Sequence, residues 1–348
     1  MRAFSSPLRL APRAAAAALL LLLPTLGPSA SAAASASAAA AAASAAAAAE
    51  HRTGHKAVLF GATGAVGSEV LRALLRERPD EEGVPRWSDV VLIGRREVDS
   101  SRTAGGANAA NVTVTQVVVP ALAAQAALAA GTAAAAAAGG ADACFIAIGS
   151  GRPQEQDLGE WHAVDVDMVG AAARLCGAVG ARYVSVLSAV DAEERPEPFG
   201  ADELGAAGGT GPMGWGSMLV RYARMKGLSE RAVASSGVPH ACLVRPSNLV
   251  TDDIRYGWLD WTLFRILPYI DPLLPARYRS VPVRLLGLAM VGDAVEVLSR
   301  GTGNDDQGSG QGGAVTVSNL GYEDFVRIAG EEYERMVLEV KVPDKQEL

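Results

Sequence analysis

Short apolar runs alternate with segments of helical periodicity along the chain from residue 55 onward. Runs of strand length occur at 56–60, 90–93, 112–119, 143–148, 183–187 and 241–244. Between them, apolar residues recur three and four positions apart, as on one face of a helix, at 66–75, 121–138, 161–178 and 218–234. This alternation predicts an α/β fold, in which right-handed crossovers give a doubly wound parallel sheet covered on both faces.

The pattern loosens after Arg245-Pro246. Four segments follow: a stretch rich in Trp, Pro and Leu (256–284), a Gly-rich polar linker (301–313), a last strand (314–317) and an amphipathic helix (322–337). We therefore expect a main α/β domain at 55–250 and a small C-terminal substrate cap at 251–348. Trp258, Trp261 and Phe264 in the cap favour an apolar substrate, although core packing or a membrane-facing patch explains them as well.

The first 54 residues differ in composition from the rest. Of the 348 residues, 49% are hydrophobic but only 5% are aromatic, and much of the excess is alanine in this segment. Low-complexity Ala and Ser cannot offset the entropy of ordering their backbone, so we interpret residues 1–54 as a leader and spacer. A basic stretch (1–13), an apolar run (14–23) and Ala30-Ser31-Ala32 are typical of a cleavable signal peptide. A transit peptide, or a membrane anchor formed by the apolar run, is the alternative.

The last four residues, Lys345-Gln346-Glu347-Leu348, differ by one residue from the Lys-Asp-Glu-Leu retrieval signal. With a signal peptide they favour the secretory pathway and the ER lumen, whereas a transit peptide would direct the chain to a plastid or mitochondrion. In the secretory pathway Asn111-Val112-Thr113 would accept a glycan; its other interpretation is an ordinary strand segment.

The charge balance argues against several kinds of partner. The net charge is −7, from 31 basic and 38 acidic residues, and no run of Lys or Arg supplies the basic face that nucleic acid requires. Cys144, Cys176 and Cys242 are far apart with no C-x-x-C spacing, which indicates neither a metal site nor a disulfide framework. The expected partner is a small-molecule substrate.

Three glycines, spaced Gly61-x-x-Gly64-x-x-Gly67, lie between the first strand and the first helix. In such a turn the first glycine permits a tight bend, the second lets the backbone approach a pyrophosphate, and the third lets the helix pack on the strand. The free N–H groups at the helix N-terminus then bind the anion. This context predicts a dinucleotide site of the Rossmann type, with contacts from Gly61, Thr63, Gly64, Ala65, Val66 and Gly67.

The end of the second strand distinguishes NAD from NADP. An NAD site has a carboxylate there for the ribose 2′-hydroxyl, whereas this chain has Gly94-Arg95-Arg96. Two guanidinium groups can pair with a 2′-phosphate, which favours NADP(H); a solvated basic pair is the other interpretation. We expect Arg95→Ala to remove most of the preference for NADPH.

Tyr222 and Lys226 are four positions apart on a predicted helix and therefore lie on one face. A lysine ammonium lowers the pKa of a nearby phenol, so the tyrosine could exchange a proton near neutral pH while the lysine also holds the nicotinamide ribose. Ser188 ends the fifth strand, where its hydroxyl could bind a substrate carbonyl oxygen. The alternatives are a surface Tyr–Lys pair and a strand-end serine that satisfies backbone groups.

The glycine triplet, the Tyr222-x-x-x-Lys226 pair and the serine after the fifth strand together resemble short-chain dehydrogenase/reductases of the extended or atypical kind. Four segments more specifically resemble the Tat-interacting-protein oxidoreductase family, which binds NADPH: Leu92 to Arg96, Val164 to Asp167, Arg245-Pro246 and Ser280 to Val283. The similarity runs from about Lys56 to Leu298. By this resemblance, Gly149 would line the path of the cofactor, and Pro246 and Ser247 would lie near the nicotinamide.

The chain also departs from that family. Val119-Pro120 stands where the family has an acidic residue toward the adenine, and Ser188-Ala189 stands where it has a pair of serines. The loop at 190–216 is longer than usual and would be either a lid or an insertion without a role. Two functions therefore remain open: an NADPH-dependent reductase or dehydrogenase, and a non-catalytic NADPH-binding regulatory or assembly protein on the same fold.

Overall fold

The computed structural model describes residues 54–77, 86–99, 111–119, 139–150, 157–205, 215–251, 270–301 and 315–341, together with 131, 133 and 135. The predicted leader, the Gly-rich linker after Gly301, the C-terminal signal and the aromatic part of the cap lie outside these ranges. Most of the helix predicted at 121–138 also lies outside them. Within the described ranges, no helix combines the length and the apolar character needed to cross a bilayer.

The strands and helices follow one another along the chain much as the hydrophobic pattern predicts. The strands are β1 (His55–Phe60), β2 (Trp87–Gly94), β3 (Thr113–Val118), β4 (Ala143–Ile146), β5 (Tyr183–Leu187), β6 (His240–Val244), β7 (Leu249–Val250), β8 (Val281–Pro282) and β9 (Thr316–Leu320). The α-helices are α1 (Ala65–Arg76), α2 (Leu158–His162), α3 (Val169–Ala178), α4 (Ala201–Gly205), α5 (Trp215–Ala234), α6 (Val283–Gly301) and α7 (Tyr322–Lys341). A π-helical segment (Ala163–Met168) joins α2 to α3.

Seven strands form one parallel sheet in the order β3-β2-β1-β4-β5-β6-β9. This arrangement confirms the predicted doubly wound α/β fold of the Rossmann type. The strand order reverses between β1 and β4, and at such a switch point the carboxyl ends of the two strands border a ligand-binding crevice. The predicted cofactor residues Gly61 and Gly149 follow these two strands, so we expect the cofactor site at this crevice.

Alternate residues of the central strands face opposite layers of the core. In β1, Ala57 and Leu59 pack in the layer that contains α1, α6 and α7, whereas Val58 and Phe60 pack in the layer that contains α3. Strands buried on both faces produce nearly continuous apolar runs, which is why the sequence marked them clearly.

Some element bounds differ from the prediction. The helix before β5 begins at Leu158 rather than Trp161 and contains the π-helical segment, which a periodicity of 3.6 residues does not encode. The last strand occupies 316–320 rather than 314–317, because its position is fixed by pairing with β6, from His240 opposite Thr316 to Val244 opposite Leu320.

Part of the segment predicted as a cap is built into the main body. β9 is the seventh strand of the sheet, and α6 packs so closely on α1 that a Cβ atom at Gly287 would lie 2.7 Å from the backbone of Glu69. Residues 53–348 form one compact unit. A separate pair of parallel strands, β7 and β8, joins Leu249 to Val281, so the two ends of segment 251–280 lie side by side.

The structure contains a disulfide bond that the sequence analysis did not expect. Cys144 in β4 and Cys176 in α3 are bonded, with Cα atoms 6.1 Å apart, and both are fully buried. The interpretation from cysteine spacing was therefore wrong, because a strand and the helix packed on it bring together residues that are 32 positions apart. Cys242 is free and buried.

Candidate active site

The glycine turn has the geometry that its sequence predicts. Gly61 has φ of +83°, a conformation that favours glycine, and a Cβ atom there would lie 2.5 Å from the carbonyl oxygen of Ala147 after β4. A Cβ atom at Gly67 would overlap the carbonyl oxygen of Gly61, so the third glycine lets α1 pack onto the turn. The turn between them is closed by the Gly64 N–H, which donates to the Gly61 carbonyl at 2.9 Å.

The N-terminus of α1 faces this turn with free donors. Gly64 is the N-cap residue and has no side chain to cap the helix, and the Ser68 N–H donates to the Gly64 carbonyl at 3.0 Å. The N–H groups of Ala65, Val66 and Gly67 precede that bond and have no partner within the helix, which suits them to an anion. The backbone thus fits the pyrophosphate of a dinucleotide.

A small pocket lies between the glycine turn and the ends of β2 and β3. Its lining includes Ala62, Thr63, Gly94, Arg96, Val98 and Gln116. Arg96 is thus placed at the pocket, whereas Arg95, equally exposed, is not part of the lining. The structure therefore separates two arginines that the sequence treats alike.

The turn that carries the two arginines is fixed to β3. The side-chain amide of Gln116 accepts a hydrogen bond from the Val98 N–H at 2.8 Å and donates one to the Val98 carbonyl at 3.1 Å. The Val119 N–H donates to the Gly94 carbonyl at 2.8 Å at the other end of the turn. The Arg95–Arg96 turn is therefore held at both ends before any ligand binds.

Tyr222 and Lys226 lie on α5, as predicted, and Lys226 is only 6% exposed. Its Nζ lies 5.7 Å from the centroid of the Tyr222 ring and 2.8 Å from Oδ1 of Asp165, a carboxylate in the π-helical segment that is 2% exposed. The other oxygen of Asp165 accepts the Ser150 N–H at 2.8 Å. This buried group joins α5, the π-helical segment and the loop after β4.

The surroundings of Lys226 stabilise its charged form. Burial lowers the pKa of a lysine, but the negative groups around Lys226, of which Asp165 contributes most, together outweigh that effect, so the pKa of Lys226 is raised above its ordinary value. Gly149 adjoins the pair: a Cβ atom there would lie 3.6 Å from Oδ1 of Asp165 and 3.9 Å from Nζ of Lys226. A side chain at this exposed position would cover the ammonium, whereas glycine leaves it accessible.

Asp165 is a site residue that the sequence reasoning did not select. A signal for it exists, because Trp161, Asp165 and Val169 are four positions apart on the buried face of the helical region. An acidic residue at a core-facing position needs a partner. The backbone around it is fixed by the Ser229 hydroxyl, which donates to the Asp165 carbonyl.

Ser188 lies at the carboxyl edge of the sheet but is engaged elsewhere. Its hydroxyl donates to Oε1 of Glu230 at 2.6 Å, and Glu230 also accepts two hydrogen bonds from Arg245, at 2.8 and 2.6 Å. The hydrogen bonds that Arg245 donates to Glu230 raise the pKa of Arg245. A serine hydroxyl has one proton to donate, so Ser188 must leave Glu230 before it can donate to a substrate carbonyl.

Pro246 and Ser247 follow β6 at the same edge. The Pro246 carbonyl accepts the Val190 N–H at 3.0 Å, and the Ser188 N–H donates to the Val244 carbonyl at 2.8 Å, so the segments after β5 and β6 run side by side. The Ser247 hydroxyl donates to the Tyr278 carbonyl at 3.2 Å. Gly149, Ser188 and Pro246 thus follow three neighbouring strands.

The described part of the 190–216 loop is attached to α5. The Arg224 guanidinium lies 4.0 Å from the centroid of the Phe199 ring and donates to the carbonyls of Glu197 and Pro198, both at 2.6 Å. Phe199 belongs to an apolar cluster whose Trp161 stacks on Tyr222, with ring centroids 6.1 Å apart. Residues 190–205 therefore build a fixed wall near Tyr222; residues 206–214 lie outside the described ranges.

Comparisons with known proteins find similarity only at the level of solved structures, since no family model and no curated protein sequence matches. A short-chain dehydrogenase/reductase from Serratia marcescens aligns at 18% identity and a TM-score of 0.45, covering 78% of this chain and 99% of its own. An NADPH-dependent 3-quinuclidinone reductase from Rhodotorula rubra aligns at 16% identity and a TM-score of 0.48, covering 78% and 92%. A 3-oxoacyl-[acyl-carrier protein] reductase from Brucella melitensis, in complex with NAD, aligns at 16% identity and a TM-score of 0.47, covering 79% and 98%. The likeness is remote, and the fold rests on the strand order described above.

Proposed function

We propose that the chain is an NADPH-dependent oxidoreductase of the short-chain dehydrogenase/reductase type, which reduces a carbonyl group, or oxidises an alcohol, of an apolar small molecule. The observation that carries this proposal is the buried Lys226 ammonium, one helical turn from Tyr222 and accessible beside Gly149. It lies at the edge of the sheet that also presents the glycine turn. The narrower resemblance to the Tat-interacting-protein family remains a prediction.

The residues present fit the dinucleotide. The α1 N–H groups would hold the pyrophosphate, Arg96 would meet a 2′-phosphate, and Lys226 would bind the nicotinamide ribose through ammonium protons that Asp165 does not use. When bound, NADPH supplies the hydride that adds to the carbonyl carbon.

The proton is handled by the chain itself. In reduction the Tyr222 hydroxyl donates its proton to the carbonyl oxygen, and the Lys226 ammonium stabilises the phenolate that remains until solvent restores the proton. In alcohol oxidation the same phenolate accepts the proton. Trp161, stacked on one face of the Tyr222 ring, limits the directions in which the phenol can turn.

The second candidate, a non-catalytic NADPH-binding regulatory or assembly protein, is favoured by one observation. The hydroxyl predicted to hold the substrate carbonyl, that of Ser188, is donated to Glu230. A site that binds the cofactor but lacks this donor would sense NADPH without transferring hydride.

A panel of aldehydes and ketones with NADPH distinguishes the two functions, measured at 340 nm for the wild type, Tyr222→Phe and the control Tyr278→Phe. Tyr222→Phe keeps the stacked ring and removes only the hydroxyl, so turnover falls by about 100-fold or more while NADPH binding is kept. Tyr278→Phe retains activity, because the Tyr278 hydroxyl contacts Arg277 and Asp191, which are both exposed. NADPH binding without turnover of any substrate would favour the regulatory protein.

We also propose that the chain works in an oxidising compartment, namely the secretory pathway. The Cys144–Cys176 bond supports this, because structural disulfides are rare where thiols are kept reduced, and Asn111 of the predicted glycosylation site is exposed. Sequencing the mature N-terminus and treating the expressed protein with a glycosidase tests the proposal. A reduced, unglycosylated protein with an intact N-terminus in the cytosol contradicts it.

A further inference from the structure

The carboxylate of Asp165 is held in a position that cofactor binding alone does not explain. Both of its oxygens are bonded, one to Lys226 and one to the Ser150 N–H, and the side chain is almost completely buried. In an ion pair of this kind, the attraction between the two charges offsets the cost of removing them from water, so replacing only one partner leaves an uncompensated buried charge. The negative charge is therefore a fixed part of the site.

This charge acts on the same phenol as the lysine does. The Asp165 oxygen is 2.8 Å from Lys226 Nζ, which is 5.7 Å from the Tyr222 ring centroid, so the carboxylate lies within about 9 Å of the ring. At an effective dielectric constant of about 20, a single charge at that distance moves an ionisation by about one pH unit. At the same dielectric constant the Lys226 ammonium, 5.7 Å from the ring centroid, lowers the midpoint by about two units, so the carboxylate offsets at least about half of that effect.

We infer that Asp165 is a positioning residue that holds Lys226 and offsets its charge, so that the Tyr222 phenol keeps its proton to higher pH than an unopposed lysine would allow. A phenol that keeps its proton can serve as the acid of carbonyl reduction at neutral pH. Asp165 thereby favours the protonation state of Tyr222 that carbonyl reduction uses. This meaning rests on the proposed function, whereas the electrostatic effect itself does not.

Other charged groups surround the pair, and they act less directly. Glu230, one turn after Lys226, adds to the attraction on the ammonium but is itself paired with Arg245, and Arg224 and His162 lie against Phe199. Arg221, which precedes Tyr222 on α5, is half-buried, whereas Asp167, Glu193 and Glu194 are exposed. Asp165 is thus the buried carboxylate bonded directly to Lys226.

The ionisation of Tyr222 can be followed by ¹³C NMR of protein labelled at tyrosine Cζ, with the signal assigned by its loss in Tyr222→Phe. Asp165→Asn keeps a side-chain oxygen for Lys226 and removes the charge, so the midpoint of the titration falls by about one pH unit. The matched control is Asp167→Asn, two residues along the same segment, whose carboxylate is 61% exposed and pairs with His162. Its effect stays below about 0.3 units, because water and salt screen it. An unchanged or raised midpoint in Asp165→Asn overturns the inference.

A second variant covers the case in which Asp165→Asn does not fold. Asp165→Leu/Lys226→Met replaces the pair with apolar groups of similar size, a change that buried ion pairs tolerate. If the carboxylate offsets part of the ammonium's effect, the Tyr222 midpoint rises by less than about 1.5 units in this variant. A rise of about 1.5 units or more would show that Lys226 acts unopposed and would overturn the inference.

NADPH binding, measured by fluorescence on the same proteins, distinguishes a failure of the proposed function from a failure of the inference about Asp165. Wild-type protein that does not bind NADPH contradicts the proposed function, yet the Asp165→Asn shift still decides whether the two charges offset each other. Protein that binds NADPH but shows no shift contradicts the inference alone.

Discussion

Arg96, rather than Arg95, should determine the preference for NADPH. Arg96 lines the pocket between the glycine turn and the ends of β2 and β3, whereas Arg95 is exposed outside it. The sequence analysis chose Arg95→Ala as its test, although neither the spacing nor the residue type distinguishes the two arginines. The pair therefore offers its own matched control, since each variant removes one guanidinium from the same turn.

The expected size follows from the kind of contact. A hydrogen bond to a charged group contributes about 1.5–3 kcal/mol, and each 1.4 kcal/mol is a factor of ten, so Arg96→Ala should weaken NADPH binding by about 10- to 100-fold. NADH lacks the 2′-phosphate, and its Kd should change by less than about threefold. Arg95→Ala should alter neither Kd by more than about threefold, because its charge reaches the phosphate only through water at a Debye length of about 8 Å.

Fluorescence titrations of the wild type and both variants with each cofactor, at fixed ionic strength, give six dissociation constants. The decisive quantity is the ratio of the NADH and NADPH constants in each variant. If Arg95→Ala abolishes this ratio while Arg96→Ala leaves it unchanged, the assignment of the pocket is refuted. Equal constants for the two cofactors in the wild type would refute the preference itself.

Three further predictions concern the Gln116–Val98 hydrogen bonds, the disulfide and the half-buried carboxylate of Asp142. Gln116→Glu keeps an acceptor for the Val98 N–H but loses the donor to the Val98 carbonyl, and it adds a negative charge to the pocket that Arg96 lines. Binding of NADPH should therefore weaken by about tenfold more than binding of NADH. Equal losses in the two titrations would contradict this. Reducing the disulfide in denaturant and refolding the protein in the presence of a phosphine should lower the free energy of unfolding by about 3–4 kcal/mol, because the bond closes a loop between residues 32 positions apart. Urea transitions that coincide for the oxidised and the reduced protein would contradict this. Burial raises the pKa of Asp142, but the His55 imidazole 3.8 Å away and the hydrogen bonds from the Lys56 N–H and Arg182 outweigh it and lower that pKa to about 2. Because a depressed pKa stabilises the fold above the unfolded value near 4, Asp142→Asn should cost about 1–2 kcal/mol at pH 7 and progressively less as the pH falls toward 2; urea titrations with a pH-independent cost would contradict the pairing.

The features predicted well from the sequence are those in which local pattern and packing agree. Strands buried on both faces leave uninterrupted apolar runs, and β5 has the bounds predicted for it. The glycine turn was equally clear, because the positive φ of Gly61 and the close packing at Gly67 exclude other residues. Tyr222 and Lys226 were found because one helix carries both.

The features that were missed depend on contacts between distant segments. The disulfide joins β4 to α3, Asp165 meets Lys226 across two helical segments, and Ser188 is drawn to Glu230 on α5. Each of these contacts is set by how helices pack on the sheet, which no local spacing records. The placement of β9 in the sheet was missed for the same reason, because the sequence of a strand does not specify which other strand it pairs with.

The β7–β8 pair has a consequence for how such a protein can diversify. Leu249 is paired with Val281, and the Val281 N–H donates to the Asn248 carbonyl at 2.8 Å, so the two ends of segment 251–280 are held together. A segment whose ends are joined can be lengthened, shortened or exchanged while the sheet, the glycine turn and α6 stay in place, since loop closure costs rise only slowly with length. Selection can therefore alter this segment without rebuilding the scaffold that supports it.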